Sequence, residues 1–164
     1  MTLDEVIGKV QHYPTKVVCV TGGEPLLQKS SLVLMEKLCD LGYQVSLETS
    51  GARDCAEVDP RVLLVIDIKT PDSSEGGTFN LSNLNLRHPF VEYKFVICSE
   101  ADFKWAESFC RQHDLGTKHG VLYSPAFEKI EARWLAETIL KENSSARLHL
   151  QLHKYIWSSE TRGV

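Results

Sequence analysis

Two adjacent glycines, Gly22 and Gly23, are followed by Glu24 and Pro25 directly after an apolar run at 17–20 that predicts a buried strand. Glycine has no Cβ, so the backbone after this strand can turn sharply and approach a ligand closely. The Glu24 carboxylate places a hydrogen-bond acceptor at the carboxyl end of a strand, where α/β folds build their sites. Pro25 suits the first turn of a following helix. The segment therefore predicts a ligand-binding loop, and the alternative is an ordinary strand-to-helix turn.

Polar residues recur at the ends of later predicted strands. They lie at 21–24, 48–51, 67–71 and 124–127, and Gln151 and His153 alternate with Leu152 near the C-terminus. Because the carboxyl ends of parallel strands gather on one face of a β/α barrel, these residues predict a shared binding site.

The elements that position these residues alternate between strand and helix along much of the chain. Strands are predicted at 17–20, 43–47, 62–68, 91–98, 121–123 and 148–152. Helices are predicted after Thr2, which forms a capping box with Glu5, and at 32–41, 100–113 and 128–141. Residues 70–89 predict a long polar loop with room for one short helix, and 153–164 a tail, in a single domain spanning 1–164. Alternation of this kind predicts parallel strands in a partial β/α barrel, with an open doubly wound sheet as the alternative.

Composition excludes some functional classes. The chain has 164 residues, of which 43% are hydrophobic and 24% charged, as in a globular domain with a real core. A net charge of −4 argues against nucleic acid as a partner. The acidic N-terminus predicts no signal peptide, and no apolar run is long enough to span a membrane. We therefore expect a cytoplasmic protein.

The five cysteines are widely spaced, and none forms a C-x-x-C pair. An odd number of cysteines in a cytoplasmic protein argues against a disulfide framework. We expect Cys19, Cys39, Cys98 and Cys110 to be small buried apolar residues, and we expect no metal site among the cysteines.

Six segments, in this order along the chain, resemble the 7-carboxy-7-deazaguanine synthase family of radical S-adenosylmethionine (SAM) enzymes. They are Thr-Gly-Gly-Glu-Pro-Leu, Glu-Thr-Ser-Gly, Asp-Ile-Lys-Thr-Pro, Lys-Phe-Val-Ile, Ser-Pro and Gln-Leu-His-Lys-Tyr-Ile-Trp. The resemblance implies a partial, TIM-like barrel of the radical SAM type with its first strand missing. It also implies a lyase of queuosine and 7-deazapurine biosynthesis. The reaction is a radical ring contraction of 6-carboxy-5,6,7,8-tetrahydropterin to 7-carboxy-7-deazaguanine with loss of ammonia.

The resemblance also implies roles for individual residues. The implied SAM-binding residues are Gly22, Gly23, Glu24, Asp67, Ile68, Lys69, Ser124, Pro125, Ala126 and Phe127. The implied pterin-binding residues are Thr21, Gln151, His153 and the C-terminal Val164. Simpler interpretations stay open: Thr21 hydrogen-bonds within its own turn, Asp67 and Lys69 form a surface ion pair, or His153 is an ordinary half-buried histidine. No catalytic residue is assigned.

One departure from the family pattern concerns the cofactors. Radical SAM chemistry needs a [4Fe–4S] cluster held by cysteine thiolates spaced C-x₃-C-x₂-C, and this chain has no such spacing. The implied ligands of the cluster and of Mg²⁺ are therefore absent, and we expect the chain as given to be inactive. It is either a fragment of a synthase that forms a homodimer and takes electrons from a flavodoxin-like donor, or a cluster-less SAM/pterin-binding or scaffold protein. Another radical SAM activity is the third possibility.

Overall fold

The computed structural model describes residues 1–73, 77–157 and 161 of the chain, and these form an α/β fold. The strands are β1 Val17–Val20, β2 Gln44–Thr49, β3 Leu63–Ile68, β4 Val91–Ile97, β5 Gly120–Pro125 and β6 Arg147–Leu148. They lie in one sheet in chain order, and the β1–β2, β2–β3 and β5–β6 pairs are parallel. A doubly wound sheet would reverse its strand order partway, so the partial β/α barrel is confirmed and the alternative is wrong.

Helices connect most of the strands. The α-helices are α1 Leu3–Gln11, α2 Ser30–Asp40, α3 Glu100–His113, α4 Leu115–Lys118, α5 Ala132–Lys141 and α6 His153–Ile156. Short 3₁₀ helices cover Pro25–Leu27, Pro71–Ser73 and Leu81–Asn85, so the described part of the polar loop at 70–89 contains two short helices. No helix in the described part of the chain is both long and apolar enough to cross a membrane.

The chain divides into two compact units. Unit one comprises Met1–Asp67 and Thr78–Glu92, and unit two comprises Ile68–Gly77 and Tyr93–Val164.

The core of unit one is formed by β2, β3 and α2. Alternate residues of β2 and four of the six residues of β3 are buried, as expected for strands that bury their apolar side chains between layers. Met35 and Leu38 of α2 are fully buried. Helix α1 begins with the predicted capping box of Thr2 and Glu5 but buries no residue.

The core of unit two is aromatic. The ring of Tyr123, on β5, makes edge-to-face contacts with Phe95 of β4 at 5.8 Å and with Phe103 of α3 at 5.6 Å between centroids. Helix α3 has the predicted bounds because the Ser99 hydroxyl caps its first turn and Asp114 ends it in the left-handed conformation.

Three expectations need correction. The strand predicted at 148–152 ends at Leu148, because β6 is the last strand in the sheet order, pairs with β5 over two positions, and then turns into α6. Helix α5 starts at Ala132 instead of 128, since Glu128 has a φ of 63°, which no helix accommodates. The cysteines expected to be buried are not all buried: Cys19 is exposed and Cys39 and Cys98 are half-buried. Cys19 is exposed because the first strand of the sheet buries neither of its faces.

Candidate active site

The carboxylate of Glu24 joins the loop after β1 to the end of β2. It accepts hydrogen bonds from the hydroxyl of Thr49, at 2.8 and 2.9 Å, and from the backbone N–H and hydroxyl of Ser50. It also accepts from the Leu26 N–H at 3.1 Å, which caps the 3₁₀ helix that begins at Pro25. The motifs Gly-Gly-Glu-Pro and Glu-Thr-Ser-Gly therefore belong to one hydrogen-bond network.

These hydrogen bonds determine the charge of Glu24. Partial burial alone would raise its pKa, but the hydrogen bonds from Ser50, Leu26 and Thr49 outweigh this effect and hold the pKa below the ordinary value. The site therefore presents a carboxylate that is ionised at neutral pH, and an ionised carboxylate attracts cationic groups such as ammonium.

The backbone before Glu24 is open. Thr21, Gly22 and Gly23 are all exposed. Gly22 has a φ of 128°, a conformation that residues with a Cβ rarely adopt. A Cβ added at Gly23 would meet no atom within 4 Å, so the space beside this backbone is free for a ligand.

The predicted residues at the end of β3 lie in both units. Asp67 is half-buried and ends the first segment of unit one, while Ile68 is buried and Lys69 half-buried in unit two. Thr70, the next residue, is fully buried.

The predicted residues after β5 are held firmly in unit two. Ser124 and Pro125 are buried at the end of the strand, and the Ala126 N–H donates to the Ile97 carbonyl at 2.9 Å. The half-buried ring of Phe127 meets the ring of Tyr155 edge-on at 6.2 Å, and the Lys154 ammonium lies 5.3 Å from the Phe127 ring centroid. This segment therefore contacts α6 directly.

The predicted residues near the C-terminus do not lie on a strand. Gln151 is half-buried in the turn before α6, and His153 is exposed as the first residue of that helix. The alternation of Gln151 and His153 about Leu152 predicted a strand, and that prediction is wrong. Val164 lies outside the described residues.

Sequence reasoning missed Asp102, which is 1% exposed. Its carboxylate accepts hydrogen bonds from the Thr70 hydroxyl at 2.9 Å, the Cys98 N–H at 3.0 Å and the Asp72 N–H at 3.1 Å. It thereby fixes the backbone after β3 to the start of α3, at the carboxyl ends of the strands of unit two. The available signal was the spacing of Ser99 and Asp102, the pattern of a helix cap with an acidic third residue.

The chain's cysteines do not fit an iron–sulfur cluster. Burial raises the pKa of the Cys55 thiol to about 12 and that of Cys110 to about 11, whereas cluster ligands are thiolates. Within residues 1–73, 77–157 and 161, no group of three or more His, Cys, Asp or Glu side chains is placed to hold a metal ion.

Comparisons with known proteins give consistent results, although no protein-family model matches the chain. The 7-carboxy-7-deazaguanine synthase of Koribacter versatilis is 43% identical over an alignment of 179 residues. This alignment covers all of this chain and 79% of that protein. The enzyme of the same name from Chlorobaculum tepidum is also 43% identical, over all of this chain and 76% of its own length. The crystal structure of QueE from Escherichia coli superposes with a TM-score of 0.72 over 92% of this chain and 64% of that chain. At 22% identity, this last match establishes the fold.

Proposed function

Because this chain belongs to the 7-carboxy-7-deazaguanine synthase family, we propose that it acts in the radical SAM conversion of 6-carboxy-5,6,7,8-tetrahydropterin to 7-carboxy-7-deazaguanine. The observation that carries this proposal is the 43% identity to two synthases over the whole length of the chain. The reaction is a lyase step, since it releases ammonia, and it belongs to the formation of queuosine and other 7-deazapurines.

In this proposal the loop after β1 binds the methionine end of SAM. The free space beside Gly23 lets the methionine moiety of SAM approach the protein backbone. The ionised Glu24 attracts the ammonium group of that moiety. Residues 67–69 and 124–127 are proposed to contact the rest of SAM.

The pterin is proposed to bind Thr21, Gln151, His153 and Val164. A flat, polar bicycle needs both donors and acceptors, and threonine, glutamine and histidine side chains supply both. The exposure of Thr21 and His153 supports their availability to a ligand.

A [4Fe–4S] cluster would supply the electron that cleaves SAM, and Mg²⁺ is proposed to assist. Since the chain's cysteines do not fit a cluster, its own residues are proposed to bind and orient SAM and the pterin. We also propose that the protein is a cytoplasmic homodimer. It would receive electrons from a flavodoxin-like donor.

The Gly23→Ala variant tests the SAM site. The new methyl group meets no protein atom, so the folded state should keep its stability while the ligand loses space. Overpacking of this kind costs about 1–3 kcal/mol, which is roughly a 5- to 150-fold rise in the SAM Kd. Isothermal titration calorimetry with SAM measures the change. An unchanged Kd would refute the proposed contact.

The matched control is Gly8→Ala, because an added Cβ at Gly8 in α1 also meets no atom within 4 Å. This control should leave the SAM Kd unchanged and should stabilise the helix slightly.

Peptide mass spectrometry of the protein from its source cells would separate the synthase from a cluster-less binding protein. A C-x₃-C-x₂-C peptide in the native protein would support the synthase, and a native protein without one would support the binding protein.

A further inference from the structure

Two buried polar atoms in unit two have no hydrogen-bond partner among the described residues. They are the hydroxyl oxygen of Ser124, a residue that is 1% exposed, and the Nδ1 atom of His149. Buried polar atoms in native proteins almost always have a partner, so each such atom needs an explanation. No sequence motif assigned a role to His149.

The two residues lie at adjacent positions of neighbouring strands. The register of β5 and β6 pairs Leu122 with Arg147 and Tyr123 with Leu148, and the His149 N–H donates to the Tyr123 carbonyl at 2.8 Å. Continued by one residue, this register places His149 beside Ser124. Paired residues of parallel strands point to the same face of the sheet and are roughly 4.8 Å apart.

The position of this pair indicates a ligand. Both residues lie at the carboxyl ends of parallel strands, which is where α/β folds bind small molecules. A serine hydroxyl donates a hydrogen bond and an unprotonated Nδ1 accepts one, so the pair can engage a donor and an acceptor that are adjacent in one molecule.

We propose that Ser124 and His149 bind the polar edge of a nitrogen heterocycle that carries a ring nitrogen next to an exocyclic amino group. The Ser124 hydroxyl donates to the ring nitrogen, and His149 Nδ1 accepts from the amino group. This inference rests on the proposed function, because the adenine of SAM and the pterin both have such an edge. The experiment below distinguishes these two sources.

The test measures the Kd of the full chain for SAM and for 6-carboxypterin by calorimetry. His149→Phe keeps a planar ring but removes Nδ1, and Ser124→Ala removes the hydroxyl. Each should weaken one of the two probes by about three- to tenfold, the effect of one neutral hydrogen bond. His149→Asn restores an acceptor near the Nδ1 position and should bind within about twofold of the wild type. The probe that is weakened identifies the heterocycle.

The outcomes separate this inference from the proposed function. If the wild type binds neither probe, the proposed function fails and this inference fails with it. If the wild type binds and both His149→Phe and Ser124→Ala leave both Kd values unchanged, the inference is wrong, and the proposed function loses only the contact of the Ser124 side chain with SAM. His113→Phe and Ser145→Ala are matched controls on other parts of unit two and should change neither Kd. If His149→Phe does not fold, ¹⁵N NMR of the wild-type ring decides: the His149 Nδ1 resonance should shift on addition of a probe, and an unchanged resonance would overturn the inference.

Discussion

Replacing Glu24 by glutamine tests two roles of its carboxylate, which are the stabilisation of unit one and the proposed binding of SAM. One carboxylate oxygen accepts from the Leu26 N–H and the other from the Ser50 N–H. A glutamine amide has only one oxygen, so in either orientation its NH₂ group faces one of these backbone donors. That donor then loses its acceptor in a partly buried site.

Leaving one such donor without its partner costs about 1–3 kcal/mol of the free energy of unfolding. The effect should depend on pH. The folded-state pKa of Glu24 is lowered from the ordinary value of 4.5, so its stabilising contribution is present above pH 4.5 and is lost as the pH falls through the folded-state pKa. The difference between the wild type and Glu24→Gln should therefore be full at pH 7 and should shrink below pH 4.5.

Urea unfolding followed by circular dichroism at pH 7 and at lower pH measures this difference. Glu36→Gln, on the exposed face of α2, is the matched control and should stay within about 0.5 kcal/mol of the wild type. The SAM Kd of Glu24→Gln, measured on folded protein, should rise by the equivalent of about 1.5–3 kcal/mol if the carboxylate also binds the ammonium group. Equal unfolding midpoints for Glu24→Gln and the wild type at pH 7 would refute the structural role, and an unchanged SAM Kd would refute the binding role.

Two further predictions concern packing. Gly51 has a φ of 69°, and a Cβ there would lie 2.7 Å from both Ile66 and Phe79, so Gly51→Ala should lower the free energy of unfolding in urea by about 2–4 kcal/mol. Gly42→Ala has a similar φ but open space around it, so it should lose only about 1 kcal/mol, and equal losses would refute the steric argument. Iodoacetamide labelling at pH 8, followed by mass spectrometry, should modify the exposed Cys19 first. Cys55 and Cys110 should stay unmodified until the protein unfolds, because burial protects them and raises their pKa values to about 12 and 11; early labelling of either would contradict their placement.

Local signals in the sequence were sufficient to predict several elements. The apolar run at 62–68 predicted a strand, and β3 lies there with four of its six residues buried. Helix α3 was predicted with its observed bounds, because its cap residue and its apolar face are both determined by the local sequence. Gly22, Gly23 and Glu24 were predicted to lie together in the loop that follows the first strand.

The errors arise where long-range packing decides the outcome. The run at 17–20 looks like a buried strand, but β1 is the first strand in the sheet order, and Val17 is 62% exposed. The alternation at 148–152 fits a strand, but β6 pairs over only two positions before the chain turns. Asp102 could not be identified as a central residue, because two of its three partners lie about 30 positions away in the sequence.

The hydrogen-bond network around Glu24 gives this residue a structural role in addition to the ligand-binding role that its motif predicts. A carboxylate after two glycines predicts a residue committed to a ligand, yet Glu24 already accepts hydrogen bonds from Leu26, Thr49 and Ser50. Thr49 in turn accepts from the Gly51 N–H, so each side chain holds the next. Two motifs that lie 25 residues apart are therefore one structure, and a ligand that binds here meets a carboxylate whose position and charge are set in advance. Such preorganisation lowers the cost of ordering the site when the ligand arrives. Thr49→Val and Ser50→Ala each remove a hydroxyl that positions Glu24, so each should raise the Kd for SAM in calorimetry, and an unchanged Kd in both variants would contradict the role of this network in binding.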